Sequence, residues 1–479
     1  MTSKVISSSK FILLGSVVSK IFTFAGSVVL ARILFPEDYG YLTLTTVFTV
    51  FLQQIGNFGI EVFYLQEKTS SKEEEEGVLQ IVFKLRLFTN AVLFAIQVVT
   101  ALVFYFFLEK VIVGQLLLIF SFTYIFEILS SVNGAILKKE LTFKPIAIAN
   151  TARDVASVVS RVLFASLGFG PLSFGFGAVI GSFCQAVCIR YAKKMKVDWK
   201  FWDKSYFLRV YNFSKHVLLG SIGSYASQQM DKLIMVSFFD LSKIGFYSFG
   251  YSNAGIPFTY IFSPQQQLIL SYSANLKDKP ALLLERIYDM SRIIFLLTGP
   301  LYVLAYFNCD YIVTFVFGDK WLMAGVYVQV FIIYFFFLSF LTPFNGLLTA
   351  LGRPDIVSKI TLAKMIVLIP VLFTFAVFVD DLIWYCFAFS VISVLFDLLK
   401  ANAGLKQIGG SVFSFVLKNS DVIFILVILS VLEIIVSSTD YLSPPLTLLT
   451  SLVLVLFFWI VFSIRGKDRE LVKKIIFKR

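Results

Sequence analysis

The stretch Leu13–Gly40, LLGSVVSKIFTFAGSVVLARILFPEDYG, decides what kind of protein this is. From Leu13 to Leu34 its only charges are Lys20 and Arg32, over a length sufficient for a helix to cross a bilayer core of about 30 Å. Ser16, Lys20, Thr23 and Ser27 fall at i, i+4, i+7 and i+11, one face of that helix. A related stretch returns 205 residues later as Leu218–Gly245, LLGSIGSYASQQMDKLIMVSFFDLSKIG. Leu13, Leu14, Gly15, Ser16, Ser19 and Gly40 meet Leu218, Leu219, Gly220, Ser221, Ser224 and Gly245 without a gap. Asn133-Gly134 and Asn345-Gly346 match again at an offset of 212. A membrane helix with a polar face, repeated at the head of a second unit, implies a duplicated bundle.

The rest of the chain agrees. Of 479 residues, 58% are hydrophobic and 15% charged, with 55 Phe, one His and four Cys. Ordinary soluble proteins are about a quarter charged, and no soluble fold of this length could bury so much apolar surface. Soluble classes and disulfide-stapled secreted folds are excluded. Apolar runs occur near 11–34, 40–65, 86–108, 111–137, 145–168, 171–192, 216–239, 244–271, 288–309, 322–351, 357–379, 382–405, 420–437 and 445–465. They are continuous rather than alternating, which reads as helices and not barrel strands. The expected fold is an all-α polytopic membrane protein of about fourteen transmembrane helices. Two parallel six-helix bundles, 1–192 and 216–405, are joined by a cytoplasmic linker at 193–215. Residues 406–479 add two further helices and a basic tail. Residues 1–10 read as the start of a retained helix, not as a signal peptide.

The net charge of +12 is mostly topological. With the N-terminus inside, 32 of the 42 Lys+Arg fall in cytoplasmic segments and 3 in the opposite loops, which places both termini in the cytoplasm. Six spans per unit is an even number, so the repeat is parallel, as in transporters whose two bundles are related by an axis along the membrane normal. Seven cations lie within or at the edges of spans: Lys20, Arg32, Arg153, Arg161, Lys232, Arg292 and Lys364. Intramembrane charges are costly and normally face a bundle interior or a hydrated cavity.

Four spans carry polar faces. Besides the first, the second has Thr46, Thr49, Gln53 and Asn57, with Glu61 one turn on. The fifth has Asn150, Asp154, Ser157 and Arg161, with Arg153 beside them. The seventh has Ser221, Ser224, Gln228 and Asp231, with Lys232 adjoining. One such stripe would be ordinary interhelical hydrogen bonding; four with four cations imply a central cavity. Its charge is two-signed, because Asp154 and Arg161 are spaced to pair and Asp231 adjoins Lys232. Lys20, Arg153, and Arg161 or Lys232 remain to hold an anion, Arg being suited to phosphate by its planar fork. Gln53, Asn57 and Gln228 are candidates to hold sugar hydroxyls.

These features resemble the polysaccharide-export branch of the multidrug/oligosaccharidyl-lipid/polysaccharide (MOP) exporter superfamily, the O-antigen or Wzx-type flippases. The likeness rests on Ala31-Arg32 followed by Pro36-Glu37-Asp38-Tyr39-Gly40, on MDKLIMVSFFDLSKIGFYSFGYSNAGIP (230–257), and on NGLLTALGRP (345–354), in that order. It implies a carrier in the bacterial inner membrane that moves undecaprenyl-diphosphate-linked oligosaccharide to the outer leaflet by alternating access. Its partners would be that lipid-linked sugar, membrane lipid, and the glycosyltransferases and polymerase of the same pathway; no nucleic acid is expected. By similarity to lipid II flippases, Lys20 would contact the diphosphate and spans thirteen and fourteen would form a groove for the lipid tail. Arg153 and Arg161 are assigned from the stripe. Resetting a cationic cavity against an inside-negative potential, worth about 2.3 kcal/mol per charge per 100 mV, would require ion coupling. Glu61, Glu127, Asp154 and Asp231 are the candidates.

A drug/cation antiporter of the same superfamily is one alternative, and a membrane enzyme of glycan assembly is another. No catalytic constellation or cofactor motif supports an enzyme. His216 stands alone at a helix start, and Cys184 and Cys188 lack further ligands, so no metal is expected. LGFGPLSFGFGAVIG (167–181) lacks the Lys-Ser/Thr of a phosphate loop, and its Gly177–Gly181 spacing reads as close helix packing. Glu73–Glu76 reads as a solvated cytoplasmic loop. The basic segment after 192 is either an interfacial helix or a solvated linker. Pro257, Pro264, Pro300, Pro343 and Pro370 all fall in second-unit spans, where kinks would suit a moving half, although satisfied structural kinks are commoner.

Overall fold

The computed structural model describes residues 2–56, 59–67, 69–260, 276, 279–379, 381–438 and 443–464. Asn57, Pro264, the end of the eighth span and the tail from 465 lie outside them. Every described regular element is helical. Ten helical stretches among these residues are long and apolar enough to cross a membrane. Of the stripe-bearing helices, those over 36–56, 143–166 and 204–238 are not among the ten, because their polar side chains lower the mean hydropathy.

The chain forms two compact units, Met1–Gly245 and Phe246–Arg479. The first contains α1 (Thr2–Ile33), α2 (Pro36–Gly56), α3 (Ile60–Gln66), α4 (Lys72–Phe106), α5 (Val111–Ser121), α6 (Thr123–Lys139), α7 (Phe143–Ser166), α8 (Leu172–Ala192) and α9 (Lys204–Phe238). α10 (Leu241–Ala254) begins in it and ends in the second. The partition by contact thus falls later than the sequence repeat at 216, because α9 packs on α2, α3 and α4.

Small residues set the packing of the first unit. A Cβ on Gly26 would strike Val158, and one on Gly15 would strike Thr151, so α1 lies close along α7, and the two run parallel. On an adjacent face of α7, Gly177 and Gly181 of α8 admit the Ser157 and Arg153 backbone. That is the close packing expected of the glycine-rich stretch.

Three local expectations change. Glu73–Glu76 is no loop: Ser71 accepts from the Glu74 N–H at 3.1 Å and the acids occupy the first turn of α4, where they complement the helix dipole. Glu74 and Glu67 then hold Arg209, and Glu75 holds Lys139 at 3.1 Å. The second half of the linker is the start of α9, capped by Asp203 and continuous with the seventh span. Its Tyr206, Phe207, Val210 and Phe213 pack on Ile60, Phe63 and Ile81. The second span is broken between α2 and α3, where Gly59 adopts φ 65°.

The second unit continues with α11 (Pro280–Phe307), α12 (Cys309–Phe317), α13 (Gly325–Asn345), α14 (Leu347–Ala350), α15 (Pro354–Phe378), α16 (Leu382–Lys406), α17 (Val412–Lys418), α18 (Ser420–Ser437) and α19 (Pro444–Ile464). One core is aromatic: Tyr247, Tyr251, Phe331, Phe335, Tyr385 and Phe389 meet mostly edge to face. A second core, mainly of leucine and phenylalanine side chains, joins α11 to α13, α16 and the C-terminal pair α18–α19 through Phe295, Leu304, Phe344, Leu405, Leu426 and Phe458.

Candidate substrate-binding site

On α1, Lys20 and Ser16 are half-buried, Thr23 is exposed, and Ser27 donates to the Phe24 carbonyl of its own helix. The residue that reaches α7 is Ser19, overlooked in the stripe, whose hydroxyl bonds Asp154. Asp154 also accepts from Arg153 Nε at 3.2 Å. Asp154 and Arg161 do not pair, contrary to their spacing. The register with α1 turns Asp154 toward Ser19, while the Arg161 stem lies against Gly177 of α8. Arg161 is half-buried, and its buried Nε has no hydrogen-bond partner among the described residues. Asn150 accepts from Gln185 of α8 at 2.8 Å.

On α2, Thr49 belongs to a buried node rather than an open face. Gln97 Nε2 donates to the Leu117 carbonyl at 2.9 Å and lies 3.4 Å from Thr49 Oγ1, and Tyr124 donates to Gln97 Oε1 at 2.8 Å. Gln97, the lone amide of an apolar run, was the available signal. Gln53 is half-buried with no hydrogen bond among the described residues. Glu61 pairs with Lys138 of α6. Glu127 pairs with Arg86 at 2.6 Å, and Arg86 Nη1 donates to the Gly56 carbonyl at 2.6 Å, bracing the break after α2. Arg86 is 7% exposed, so this charge at the edge of the third span is buried, not solvated. On α9, Asp231 is buried, Lys232 half-buried and Gln228 exposed. Tyr225 of the same helix donates to the Val47 carbonyl of α2.

The 205-residue offset reappears in space within the first unit. A Cβ on Gly40 would collide with the Leu241 carbonyl, and one on Gly245 with that of Pro36. Leu241 and Gly245 are the sequence counterparts of Pro36 and Gly40. Ser242 donates to Glu37, its own counterpart, at 3.0 Å. Reciprocal contact of equivalent residues is the signature of a two-fold relation. The remaining anomalous cations are accounted for differently: Arg32 is exposed, Lys364 lies over the Phe389 ring, and Arg292 is paired.

The site therefore lies in a polytopic helical bundle in which α2 and the start of α10 contact each other reciprocally, with basic residues on α1 and α7. The family described as polysaccharide biosynthesis protein matches residues 29–325, and the chain belongs to it. An uncharacterized membrane protein in the cps region of Klebsiella pneumoniae is 20% identical over 411 residues, 85% of this chain and 84% of that one. Lipopolysaccharide biosynthesis protein WzxC of Escherichia coli K12 is 21% identical over 373 residues, covering 77% and 75%. The fold matches the lipid II flippase MurJ in an inward-closed conformation, with TM-score 0.74, 17% identity and 96% and 99% of the chains covered. It also matches an inward-facing multidrug transporter of the MATE family of the MOP superfamily, with TM-score 0.64, 10% identity, and 81% and 94% covered. The MOP-exporter fold and the polysaccharide branch implied by the sequence resemblance are thus established.

Proposed function

We propose that this protein is a flippase that carries a lipid-linked oligosaccharide, with undecaprenyl diphosphate as the lipid, from the cytoplasmic to the outer leaflet of the bacterial inner membrane. Both termini would be cytoplasmic. The observation that carries this reading is Arg161: a half-buried arginine on α7 whose buried Nε has no hydrogen-bond partner among the described residues, two turns from Asp154. Such a group is stabilised by a ligand that brings negative charge, and the fork of an arginine fits a diphosphate oxygen pair. Lys20 on α1 adds a second cation, and the polar side chains Gln53, Asn150 and Gln228 suit sugar hydroxyls.

The head group would bind with the bundle open to the cytoplasm while the polyprenyl tail stays in lipid. Rocking of the repeats then exposes the head group outside, and the reciprocal Gly40–Leu241 and Gly245–Pro36 contacts are where outward opening must part the helices. Asp154, bonded to Ser19 and Arg153, and Asp231, buried on α9, are the coupling candidates that do not brace a helix break. The reading is of a carrier, not an enzyme.

Deletion of the gene in its host should abolish surface polysaccharide and accumulate lipid-linked units, restored by the wild type. Normal export in a deletion strain with no redundant carrier overturns the proposal. A drug/cation antiporter would keep transporting with Lys20→Ala and fail with Asp231→Asn; the flippase reading expects Lys20→Ala to fail.

A further inference from the structure

Glu433, on α18, is 1% exposed, one turn from Leu429 of the second core, and no cation pairs with it among the described residues. Its surroundings decide its protonation by hydrogen-bond counting. Ser451 Oγ on α19 lies 2.6 Å from Glu433 Oε2, 2.9 Å from the Thr447 carbonyl and 2.9 Å from Asn308 Nδ2. Asn308, at the junction of α11 and α12, donates to that oxygen and, with its other proton, to the Leu304 carbonyl at 3.1 Å. One hydroxyl proton cannot serve both the Thr447 and the Glu433 oxygens. If Glu433 were ionised, Ser451 would have to turn to it, and Oε1, which has no hydrogen-bond partner, would be a bare anionic oxygen in an apolar core. If Glu433 is a neutral acid, each of these contacts has its proton and only Oε1 stays unpaired, without charge. Oε2–H donates to Ser451, Ser451 donates to Thr447, and Oε1 remains as an uncharged carbonyl.

We propose that Glu433 is a proton-binding site: a neutral carboxylic acid whose proton, donated to Ser451, clasps the C-terminal pair α18–α19 to the end of α11. Among the described residues, no other ionisable group supplies the charge. α19 carries none between Pro444 and Ile464, and α13 carries only the phenols of Tyr327 and Tyr334. On α18 the other acid, Asp421, is three turns away and held by Arg292. On α17, Lys418 lies over the Tyr288 ring of α11. At the α11–α12 junction, Asp310 is exposed, Tyr306 is half-buried, and the Cys309 thiol donates to the Gly325 carbonyl. Loss of the proton would leave a buried anion that only entry of water or a cation could relieve, so ionisation opens the clasp. The inference does not depend on the transported substrate.

The test uses the full chain in lipid nanodiscs. Infrared difference spectra of wild type minus Glu433→Gln at neutral pH should show a protonated-carboxyl carbonyl band. The wild-type thermal midpoint should fall by several degrees between about pH 6 and pH 9, because folding then requires proton uptake, while the Glu433→Gln profile stays flat over that range. Should Glu433→Gln fail to fold, Ser451→Ala supplies the readout: the band persists and moves to higher frequency as the acid loses its acceptor. Absence of the band, coincident pH profiles, or a band unmoved by Ser451→Ala overturns the proposal.

Discussion

Arg161 on α7 and Arg292 on α11 are both arginines inside membrane helices, and their surroundings are opposite. Arg292 is 3% exposed; its Nη1 donates to Asn419 at 2.8 Å and to Asp421 Oδ1 at 2.9 Å, and its Nη2 donates to Asp421 Oδ2 at 2.8 Å. Its charge is used up in joining α11 to the C-terminal pair. Arg161 is held by packing against Gly177, and its buried Nε has no hydrogen-bond partner among the described residues. A buried, fully paired arginine is architecture; under the proposed function, an arginine with an unpaired buried Nε is the one that receives an anion. Spacing alone ranks the two alike.

Substitution should separate them. Arg292→Ala leaves Asp421 and Asn419 without their partner and should lower stability by about 3 kcal/mol, the low end for a broken buried pair because Asp421 is partly exposed. Thermal unfolding of the purified variant checks this, and an unchanged midpoint would remove Arg292 from the architecture. Arg161→Gln should leave that midpoint unchanged or raised. It should weaken binding of a lipid-linked diphosphate roughly tenfold to a hundredfold, the worth of a charge-assisted hydrogen bond of about 1.5–3 kcal/mol. Arg161→Lys should recover only part of the loss, since an ammonium cannot form the fork.

Smaller effects follow at the symmetric contact and at the helix cap. Gly40→Ala drives a methyl group into the Leu241 carbonyl, which as backbone cannot swing aside, and should destabilise within the about 1–3 kcal/mol typical of overpacking. Gly245→Ala should match it, and unequal effects on the unfolding midpoint would argue against the two-fold relation. Least of all is Asp203, outside the membrane spans, where the Ser205 hydroxyl and the Tyr206 and Ser205 N–H groups hold the carboxyl below its usual range. The fold favours its charged form, so its contribution is complete above the ordinary carboxylate value near about 3.9 and is lost as pH falls through the lowered one. Wild type should lose acid stability more steeply than Asp203→Asn, as followed by α-helical circular dichroism.

Part of the site was legible beforehand. The stripe on the fifth span located Asp154 and Arg161 because a 3.6-residue period is visible in one helix taken alone. Their mutual pairing was misread, since Ser19 on another helix outcompeted Arg161 for the carboxylate. Arg86 looked like a cytoplasmic charge at the edge of a span and is a buried brace on Gly56. Glu433 shares its helix face with Ser430 and Ser437, but its partner Ser451 lies 18 residues away, and Asn308, bonded to Ser451, lies 125 residues away.

The amino-acid sequence was sufficient for the class of fold, because hydropathy and helical period are properties of contiguous residues, and the same properties gave the expected spans and duplication. Charge asymmetry gave the expected orientation for the same reason. Which charges are spent on structure and which are left over was decided only in three dimensions. An ion pair or a buried hydroxyl bond depends on helices far apart in the chain meeting in one register, and glycine contacts such as Gly26 on Val158 set that register to within one side chain.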